Sequence, residues 1–267
     1  MNTDCTDSNA NNIKTKLDDF TLKLFPNLEF LAEVTSTNDY LLHCSQQNQG
    51  NALCFAEKQT HGRGRRGQKW LSNPKDICFS LLWNTQTSLD QLAGLSLAIA
   101  TMVAQAIESC CPNTDIQVKW PNDIFHNNKK IGGILLESTQ HNDTSAIVIG
   151  IGLNIANDKQ KQKLKNAYTC LESTTLEQFD VNAISASIVN SIARGLCLFE
   201  HEGLSAFTAA WEKFDNQINQ KIVVTVNQKK LEGVNQGINQ RGELLLHLDN
   251  NQTMALHSGK IEPPQRH

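Results

Sequence analysis

The 267-residue sequence lacks the long apolar run that a membrane-spanning helix requires. Its longest apolar stretch, residues 92–107, is interrupted by glycine, serine, threonine and glutamine, whereas a span needs about 18 apolar residues in succession. The first residues, 1–12, are polar and contain neither a basic nor an apolar segment, so they do not resemble a secretory signal. We therefore expect a cytoplasmic protein with no membrane as its partner.

The sequence also lacks an excess of positive charge. It contains 24 lysines and arginines against 27 aspartates and glutamates, which gives a formal net charge of −3. A surface that binds nucleic acid or an anionic membrane over its whole area would be strongly basic. We therefore expect no nucleic acid as a partner, and we expect any anion binding to be local.

The eight cysteines lack the spacing of a metal site or of a redox pair. None belongs to a C-x-x-C motif or to a Cys/His ligand pattern, so in a chain of this length they indicate thiols in a reducing compartment. The sequence also shows no Ser/His/Asp set, no catalytic Cys/His pair and no cluster of metal-binding carboxylates.

The periodicity of apolar residues predicts an α+β fold. Strands are predicted at residues 28–34, 52–57, 77–83, 116–120, 130–137 and 146–155. A capping box at Ser88 and Gln91 predicts a helix that ends before Pro112, and two more helices are predicted at 182–202 and 204–214. After Gln217, short strands alternate with turns that contain asparagine or glycine, which is typical of a small β barrel. The predicted organisation is a disordered tail at 1–20, a mixed sheet flanked by helices at 21–217, and the barrel at 218–267.

A segment rich in glycine and arginine, residues 62–70 (GRGRRGQKW), is the strongest local motif. Its glycines match G-x-G-x-x-G, but another strand follows where a dinucleotide-binding loop would open into a helix. Glycine allows a close backbone approach, and arginine binds phosphate through two hydrogen bonds. The segment therefore predicts a loop that orders around a polyanion. A solvated basic hairpin and an RNA-binding segment are the alternatives.

Three further segments place polar groups at strand ends. Lys119-Trp-Pro-Asn-Asp ends one strand and Lys130-Ile-Gly-Gly begins another, so both lysines could reach one place. The adjacent glycines indicate either a ligand close to the backbone or a β-bulge without one. In Gly150-Ile-Gly-Leu-Asn, the glycines and Asn154 share one strand face, which would suit either a flat ring such as adenine or a tightly packed second sheet. The Ser-Thr-Asn run after Thr35 is, by itself, more typical of a helix cap.

Together these segments resemble the motifs of the biotin protein ligases. The motifs are STN at 36–38, Gln59 with the 62–67 loop, KWPND at 119–123, KIGGILLE at 130–137 and GIGLN at 150–154. They follow the family's order and spacing, and the tail resembles its C-terminal SH3-like domain. The resemblance implies a catalytic domain like that of class II aminoacyl-tRNA synthetases. It also implies that biotin and MgATP form biotinyl-5′-AMP, whose biotin then passes to a lysine of a biotin carboxyl carrier protein.

The resemblance also implies roles for individual residues. It assigns catalysis to Lys130 and Arg65. The residues assigned to biotin are Ser36, Thr37, Asn38, Gln59, Arg63, Gly64, Arg65, Lys130 and Gly132. The residues assigned to ATP and the adenylate are Arg63, Arg65, Arg66, Trp70, Lys119, Asn122, Asp123 and Asn154. Asp123 is also assigned to Mg²⁺, with a bridging water as one option.

Two departures from the family pattern matter. Gln68 stands where many relatives carry a basic residue, and we expect only a modest loss from it. Bifunctional relatives carry an N-terminal winged-helix DNA-binding domain, whereas a short polar segment precedes the matched region here. We therefore expect a ligase without repressor activity, either monomeric or homodimeric. The alternatives are a lipoate or octanoate ligase and a nucleic-acid-binding module.

Overall fold

The computed structural model describes residues 10–47, 49–141, 144–156, 169–173 and 179–262. Its centre is a seven-stranded mixed sheet in the order β1-β2-β3-β7-β6-β5-β4. Strands β1 and β2 are parallel, and the other neighbouring strands are antiparallel. The strands are β1 (Asn27–Val34), β2 (Ala52–Gln59), β3 (Ile77–Thr85), β4 (Ile116–Lys119), β5 (Asp123–His126), β6 (Lys129–His141) and β7 (Thr144–Leu153). The predicted mixed sheet flanked by helices is confirmed.

Helices cover both faces of this sheet. They are α1 (Asp19–Leu24), α2 (Thr37–Gln46), α3 (Leu95–Cys110), α4 (Val181–Glu202) and α5 (Thr208–Phe214). Because side chains alternate along a strand, one face of β3 presents Phe79 and Leu81 to the main core, which also contains α3 and α4. The other face presents Leu82 to a smaller cluster with Leu41 of α2. The first turn of α2 therefore lies on the face that the large helices leave free.

Helix α3 begins later than its sequence predicts. Ser88 donates from its backbone N and its Oγ to Oε1 of Gln91, at 3.2 and 3.0 Å, so the predicted capping contact does form. However, these residues belong to a turn that leads to Gly94, whose φ of +85° is incompatible with a continuing helix. The helix therefore starts at Leu95, and the predicted start near Ser88 is wrong.

The strand β5 is absent from the sequence prediction. The chain turns at Trp120–Asn122 and returns antiparallel to β4, and Lys119 pairs with Asp123. The strand is only four residues long, which is too short for a two-residue periodicity to be recognised. It carries the second half of the KWPND motif onto the sheet.

The C-terminal strands form a second sheet, which is open. These strands are β8 (Lys221–Val226), β9 (Lys229–Ile238), β10 (Leu244–His247), β11 (Thr253–Leu256) and β12 (Lys260–Ile261), in the order β11-β10-β9-β8-β12. In the described part of the chain the two edge strands do not pair, so the expected barrel is an open antiparallel sheet. The sheet contacts the main core through Trp120, whose Nε1 donates to the Gly242 carbonyl at 3.0 Å.

The N-terminal region is ordered over more of its length than predicted. Residues 10–14 are helical, and Ile13 and Leu17 are buried in the main core. Asn190 of α4 accepts from the backbone N of Asp18 at 3.2 Å and donates to the Lys16 carbonyl at 3.1 Å. The predicted disorder is therefore wrong for residues 10–20, because two apolar residues four positions apart give this segment a buried face. Residues 1–9 lie outside the described residues, and the predicted domain limits stay predictions.

One helical stretch, Val181–Phe214, is long and apolar enough to cross a membrane by composition alone. Half of its most apolar window is buried within the fold, and its first part, α4, packs along α3. This burial is the behaviour of a helix of the hydrophobic core.

Helix α4 is capped by Asp180, and this cap gives a prediction about stability. The backbone N of Ala183 donates to the Asp180 carboxylate at 3.0 Å. This bond lowers the pKa of Asp180 below its ordinary 3.8, against partial burial and with help from Lys16. Replacing Asp180 by alanine is expected to cost about 1 kcal/mol of unfolding free energy, or about 2 to 4 °C in Tm, as measured by thermal denaturation at pH 7.

The same cap predicts a pH dependence. Because the folded-state pKa is the lower one, the charge of Asp180 stabilises the fold above the ordinary aspartate pKa, and this contribution disappears as the pH falls through the folded value. Asp180→Asn is the matched control, since asparagine caps a helix without titrating. A Tm of Asp180→Ala equal to that of the wild type would contradict the assignment.

Candidate functional site

Three segments meet on the sheet face that α2 partly covers. They are the first turn of α2, the 62–70 loop, and the backbone of β7 at its two glycines. A Cβ atom built on Gly150 would lie 2.2 Å from Oδ1 of Asn38, and one on Gly152 would lie 2.4 Å from Cε2 of Trp70. Both glycines are therefore needed because these side chains lie directly on the strand. The face that the sequence suggested for a flat ring is covered by side chains of this chain.

Four polar side chains form a network beneath this face. Asn38 Oδ1 accepts from Ser80 Oγ at 2.6 Å, and Ser80 Oγ lies 2.7 Å from Thr37 Oγ1. Gln59 at the end of β2 accepts from the backbone N of Thr37 at 2.9 Å. Asn38, Thr37 and Ser80 are each less than 4% exposed. Such a buried, connected set orients each amide and hydroxyl in one way.

Ser36 has the role of a helix cap in this structure. Its Oγ accepts from the backbone N of Asp39 at 3.4 Å, and the residue is buried. The alternative interpretation of the STN run as a cap is thus realised at Ser36, while Thr37 and Asn38 enter the polar network. Five of the residues assigned to biotin, Ser36, Thr37, Asn38, Gln59 and Arg63, come together here.

Arg63 pairs with two carboxylates beside this network. Its Nη1 and Nη2 donate to the two carboxylate oxygens of Glu137 at 2.9 and 2.8 Å, and Nη2 also donates to Asp39. Burial alone would lower the pKa of Arg63, but the bonds and charges of Glu137 and Asp39 outweigh it and raise the pKa. The charge of Arg63 is therefore already compensated.

The loop that carries Arg63 is a hairpin. Gly64 N donates to the Gln68 carbonyl at 2.7 Å, and Trp70 N donates to the Gly62 carbonyl at 2.8 Å. A Cβ atom on Gly62 would lie 2.6 Å from the Trp70 carbonyl oxygen, so only glycine fits that position. The tip, at Arg66 and the following glycine, has φ values of +55° and +72°. Arg66 is exposed there, apart from the polar network.

A second cluster gathers cations at the turn between β4 and β5. Arg65 Nη1 donates to Oδ1 of Asn122 at 3.1 Å, and Asn122 is itself held by a 2.6 Å bond from its Nδ2 to the Ile134 carbonyl. Lys130 Nζ donates to Asp123. Lys119 lies on the neighbouring strand, paired with Asp123 in the sheet register. Three cations therefore surround one carboxylate.

Two of these cations, Arg65 and Lys119, have lowered pKa values because they are partly buried. Burial lowers the pKa of Arg65, with a further contribution from nearby Arg66 and only partial compensation by Asp123. Burial also lowers the pKa of Lys119, again with partial compensation by Asp123. Charged groups kept out of water without a full counterion favour the binding of an anion. This cluster therefore has the chemistry expected of an anion site, in contrast to the compensated Arg63.

The structure separates some predicted residues from this face. A Cβ atom on Gly132 would lie 2.9 Å from Leu153 Cδ1, on the core side of the sheet, whereas one on Gly133 would lie 3.4 Å from Lys130 Nζ. The predicted place of Gly132 in the biotin site stays a prediction, and Gly133 is the glycine whose Cβ position lies beside Lys130. Asn154 is buried, and its Nδ2 donates to the Thr169 carbonyl at 3.2 Å. Its assigned contact with the nucleotide stays a prediction.

A cavity of about 370 Å³ adjoins Arg65. It lies between the start of α3, the Trp120–Pro121 turn and the second sheet, with Arg241 and Glu243 in its wall. Of the predicted site residues, only Arg65 lines it. Among the described residues, no group of three or more histidine, cysteine, aspartate or glutamate side chains could hold a metal ion.

Four residues that lie among the assigned ones, namely Asp39, Ser80, Gly133 and Glu137, received no role from the sequence, although the sequence pattern does single out Gly133 together with Gly132. A sequence pattern was present for three of them. Gly133 and Glu137 share a face of β6 by two-residue periodicity, and Ser80 is a polar position within an otherwise apolar strand. Asp39 follows the STN run directly, but no local pattern indicates its role, because its partner Arg63 lies 24 residues away.

Comparison with known proteins agrees with this geometry. The model of the biotin/lipoate A/B protein ligase family matches residues 30–154. The "Bifunctional ligase/repressor BirA" of Escherichia coli (strain K12) is 33% identical over 90% of this chain and 74% of its own length. The "Biotin--[acetyl-CoA-carboxylase] ligase" of Paracoccus denitrificans is 27% identical over 81% of this chain and 92% of its own length.

Solved structures give the same result. The biotin protein ligase from Aquifex aeolicus in complex with biotin and ATP has a TM-score of 0.77 and 27% identity, and it covers 89% of this chain and 98% of that one. The likeness therefore extends through both sheets.

Proposed function

This chain belongs to the biotin/lipoate A/B protein ligase family, and from that membership we propose that it is a biotin protein ligase that activates biotin with ATP and transfers it to a protein lysine. The observation that carries the chemistry is the anion site formed by Arg65, Lys119 and Lys130. Partial burial lowers the pKa of Arg65 and of Lys119, so a phosphate bound beside them would compensate their charges.

The first half-reaction needs charge neutralisation above all. The biotin carboxylate attacks the α-phosphorus of ATP, a new C–O–P linkage forms, and the bond to the β-phosphate oxygen breaks to release pyrophosphate. Two anions approach each other, so fixed cations at the site stabilise the transition state. We assign this task to Lys130, Arg65 and Lys119. Mg²⁺ bound with ATP would be held by Asp123 and the phosphates, since one carboxylate and substrate phosphates suffice for this ion.

The biotin ring would occupy the face next to the polar network. A biotin site needs a largely apolar wall with a few placed polar groups. Thr37, Asn38 and Gln59 supply amides and a hydroxyl in fixed orientations, and the Trp70 indole supplies an aromatic wall over β7. We propose that Trp70 lies beside the adenine once the adenylate has formed.

The second half-reaction requires a protein partner. The amine of a carrier lysine attacks the acyl carbon of the mixed anhydride, AMP leaves, and biotin remains attached through an amide. Biotin carboxyl carrier proteins are the general acceptors of biotin protein ligases. We further propose a cytoplasmic location, in keeping with the seven free cysteines among the described residues. The expected lack of DNA binding and the oligomeric state stay predictions.

The test is pyrophosphate exchange into ATP by the purified protein, with biotin, with lipoate or with no acid. Exchange that depends on biotin alone supports the proposal, and labelling of a carrier domain by biotin completes it. Exchange with lipoate alone would keep the adenylate chemistry and overturn the assigned substrate. Folded protein without exchange but with salt-dependent RNA binding would favour the nucleic-acid-binding alternative.

Replacing Gly150 by alanine is expected to raise the KM for biotin by about tenfold or more, because the new Cβ would displace Asn38 from its bonds to Ser80 and Glu137. Gly50→Ala is the control, since a Cβ atom there would make only an ordinary contact at 3.8 Å with Asn27. Exchange kinetics at varied biotin concentration measure the effect. A Gly150→Ala enzyme with the wild-type KM would show that Asn38 does not contribute to biotin binding.

A further inference from the structure

Glu137 is the common acceptor that joins the 62–70 loop to helix α2. Its two carboxylate oxygens receive three N–H groups, two from Arg63 and one from Nδ2 of Asn38 at 2.8 Å. Its side chain is 24% exposed and lies on β6, opposite Val148 of β7. One carboxylate therefore connects three elements that are far apart in the sequence.

The hydrogen bond from Asn38 to Glu137 determines which atoms donate and which accept in the polar network. Because Asn38 donates its amide N–H to Glu137, its Oδ1 must face Ser80, whose hydroxyl then donates to it. The proton of Ser80 is used there, so the single hydroxyl proton of Thr37 is shared between Ser80 Oγ at 2.7 Å and Gln59 Oε1 at 3.3 Å. An acceptor at position 137 thus determines which atoms of the network remain able to donate or accept.

The pair with Arg63 fixes the base of the loop. A bidentate arginine–carboxylate pair holds both partners in one plane, and Asp39 adds a second carboxylate to the same guanidinium. With two carboxylates around it, Arg63 carries no uncompensated charge toward a phosphate, unlike Arg65. Arg63 acts on the loop backbone by anchoring it, and the phosphate is left to the other cations.

We propose that Glu137 is a positioning residue for the biotin half of the site, which orients the Asn38 amide and anchors the 62–70 loop through Arg63. The proposal rests on the proposed ligase function and deepens it. It reassigns Arg63 from a contact of the adenylate to an anchor of the loop that covers the adenylate.

The test compares Glu137→Gln, Arg63→Ala and the double variant in pyrophosphate exchange. Glutamine keeps the shape of the side chain but removes the charge and one acceptor. We expect each single variant to raise the KM for biotin by about tenfold, as the loss of a charge-assisted hydrogen bond allows, with the KM for ATP unchanged. We expect the double variant to resemble either single one, because both act through one contact. Glu33→Gln is the control. It removes a carboxylate of β1 from an exposed ion pair with Lys58 of β2, and its KM for biotin is expected to match that of the wild type.

Three results would overturn the positioning role while leaving the ligase intact. One is a Glu137→Gln enzyme with the wild-type KM for biotin. Another is an Arg63→Ala enzyme whose KM rises for ATP instead of biotin, since this would mean that Arg63 binds phosphate directly. The third is a double variant with multiplied effects, since this would mean that Glu137 and Arg63 act independently. Wild-type protein without biotin-dependent exchange would instead overturn the proposed function itself. Unchanged circular dichroism of each variant separates these effects from misfolding.

Discussion

Replacing Lys130 by alanine is expected to lower the rate of biotin-dependent pyrophosphate exchange by about a hundredfold or more, the scale on which removal of one transition-state donor acts. Two effects add. The variant removes a cation from the place where two anions must meet, and it leaves Asp123 without the ammonium group that now neutralises it. The Asp123 carboxylate, having lost its ion-pair partner, would then repel the biotin carboxylate and the α-phosphate more strongly.

The chain offers a closely matched control for this experiment. Lys129 is the preceding residue on β6 and is exposed, so Lys129→Ala removes the same charge from the same strand without touching the site. A second variant, Lys130→Ala with Asp123→Asn, compares the two roles of Asp123. A partial recovery of the rate would mean that repulsion by the carboxylate dominates, and a further loss would mean that Asp123 holds Mg²⁺. Near-normal exchange by Lys130→Ala would exclude Lys130 from the reaction.

The sheet was predictable because its strands are long and strongly apolar. Strands β3, β6 and β7 are each nine or more residues long, and such runs carry their periodicity within themselves. The predictions that were wrong concern elements whose limits depend on contacts with other segments or on one backbone angle. Strand β5 exists because the turn at Asn122 returns the chain onto β6, and the start of α3 depends on the φ of Gly94. Local sequence does not contain these contacts.

The cations of the site were predictable for a different reason. Arg65, Lys119 and Lys130 belong to motifs whose residue types already indicate anion chemistry. The carboxylate partner of Arg63 was not predictable, because Glu137 lies 74 residues from it and their meeting depends on how the hairpin folds over β6. The motif positions therefore indicated the ligand class, while the fold determined which charges remain available to it.

The two glycines of β6 show how sensitive a strand prediction is to register. The pairing of β5 with β6 shifts between Ile124 and Phe125, which places an extra residue on β6. A shift of one residue reverses which side chains face the site. A bulge and a nearby ligand were the alternatives for the two glycines. The structure contains the bulge and places Gly133 beside Lys130.

Replacing Arg65 by alanine is expected to increase the rate at which the adenylate escapes from the enzyme by about a hundredfold, as befits the loss of a buried, charge-assisted contact of about 2 to 3 kcal/mol. Arg65 is the loop residue that reaches the anion site. Among the described residues its side chain donates to the neutral amide of Asn122, and Asp123 compensates its charge only in part, so that charge remains available to the phosphate. Exchange should fall less steeply than retention, because Lys119 and Lys130 still compensate the anions.

The measurement is the release of radiolabelled adenylate from the enzyme, followed by rapid filtration. Lys69→Ala is the matched control, since Lys69 is an exposed cation of the same hairpin and its loss changes the net charge equally. If both variants release the adenylate at equal rates, the general charge of the loop retains the ligand, and the specific contact of Arg65 is excluded. If only Arg65→Ala releases it quickly, the buried guanidinium retains the intermediate. In that case the loop protects the mixed anhydride from water until the carrier lysine arrives.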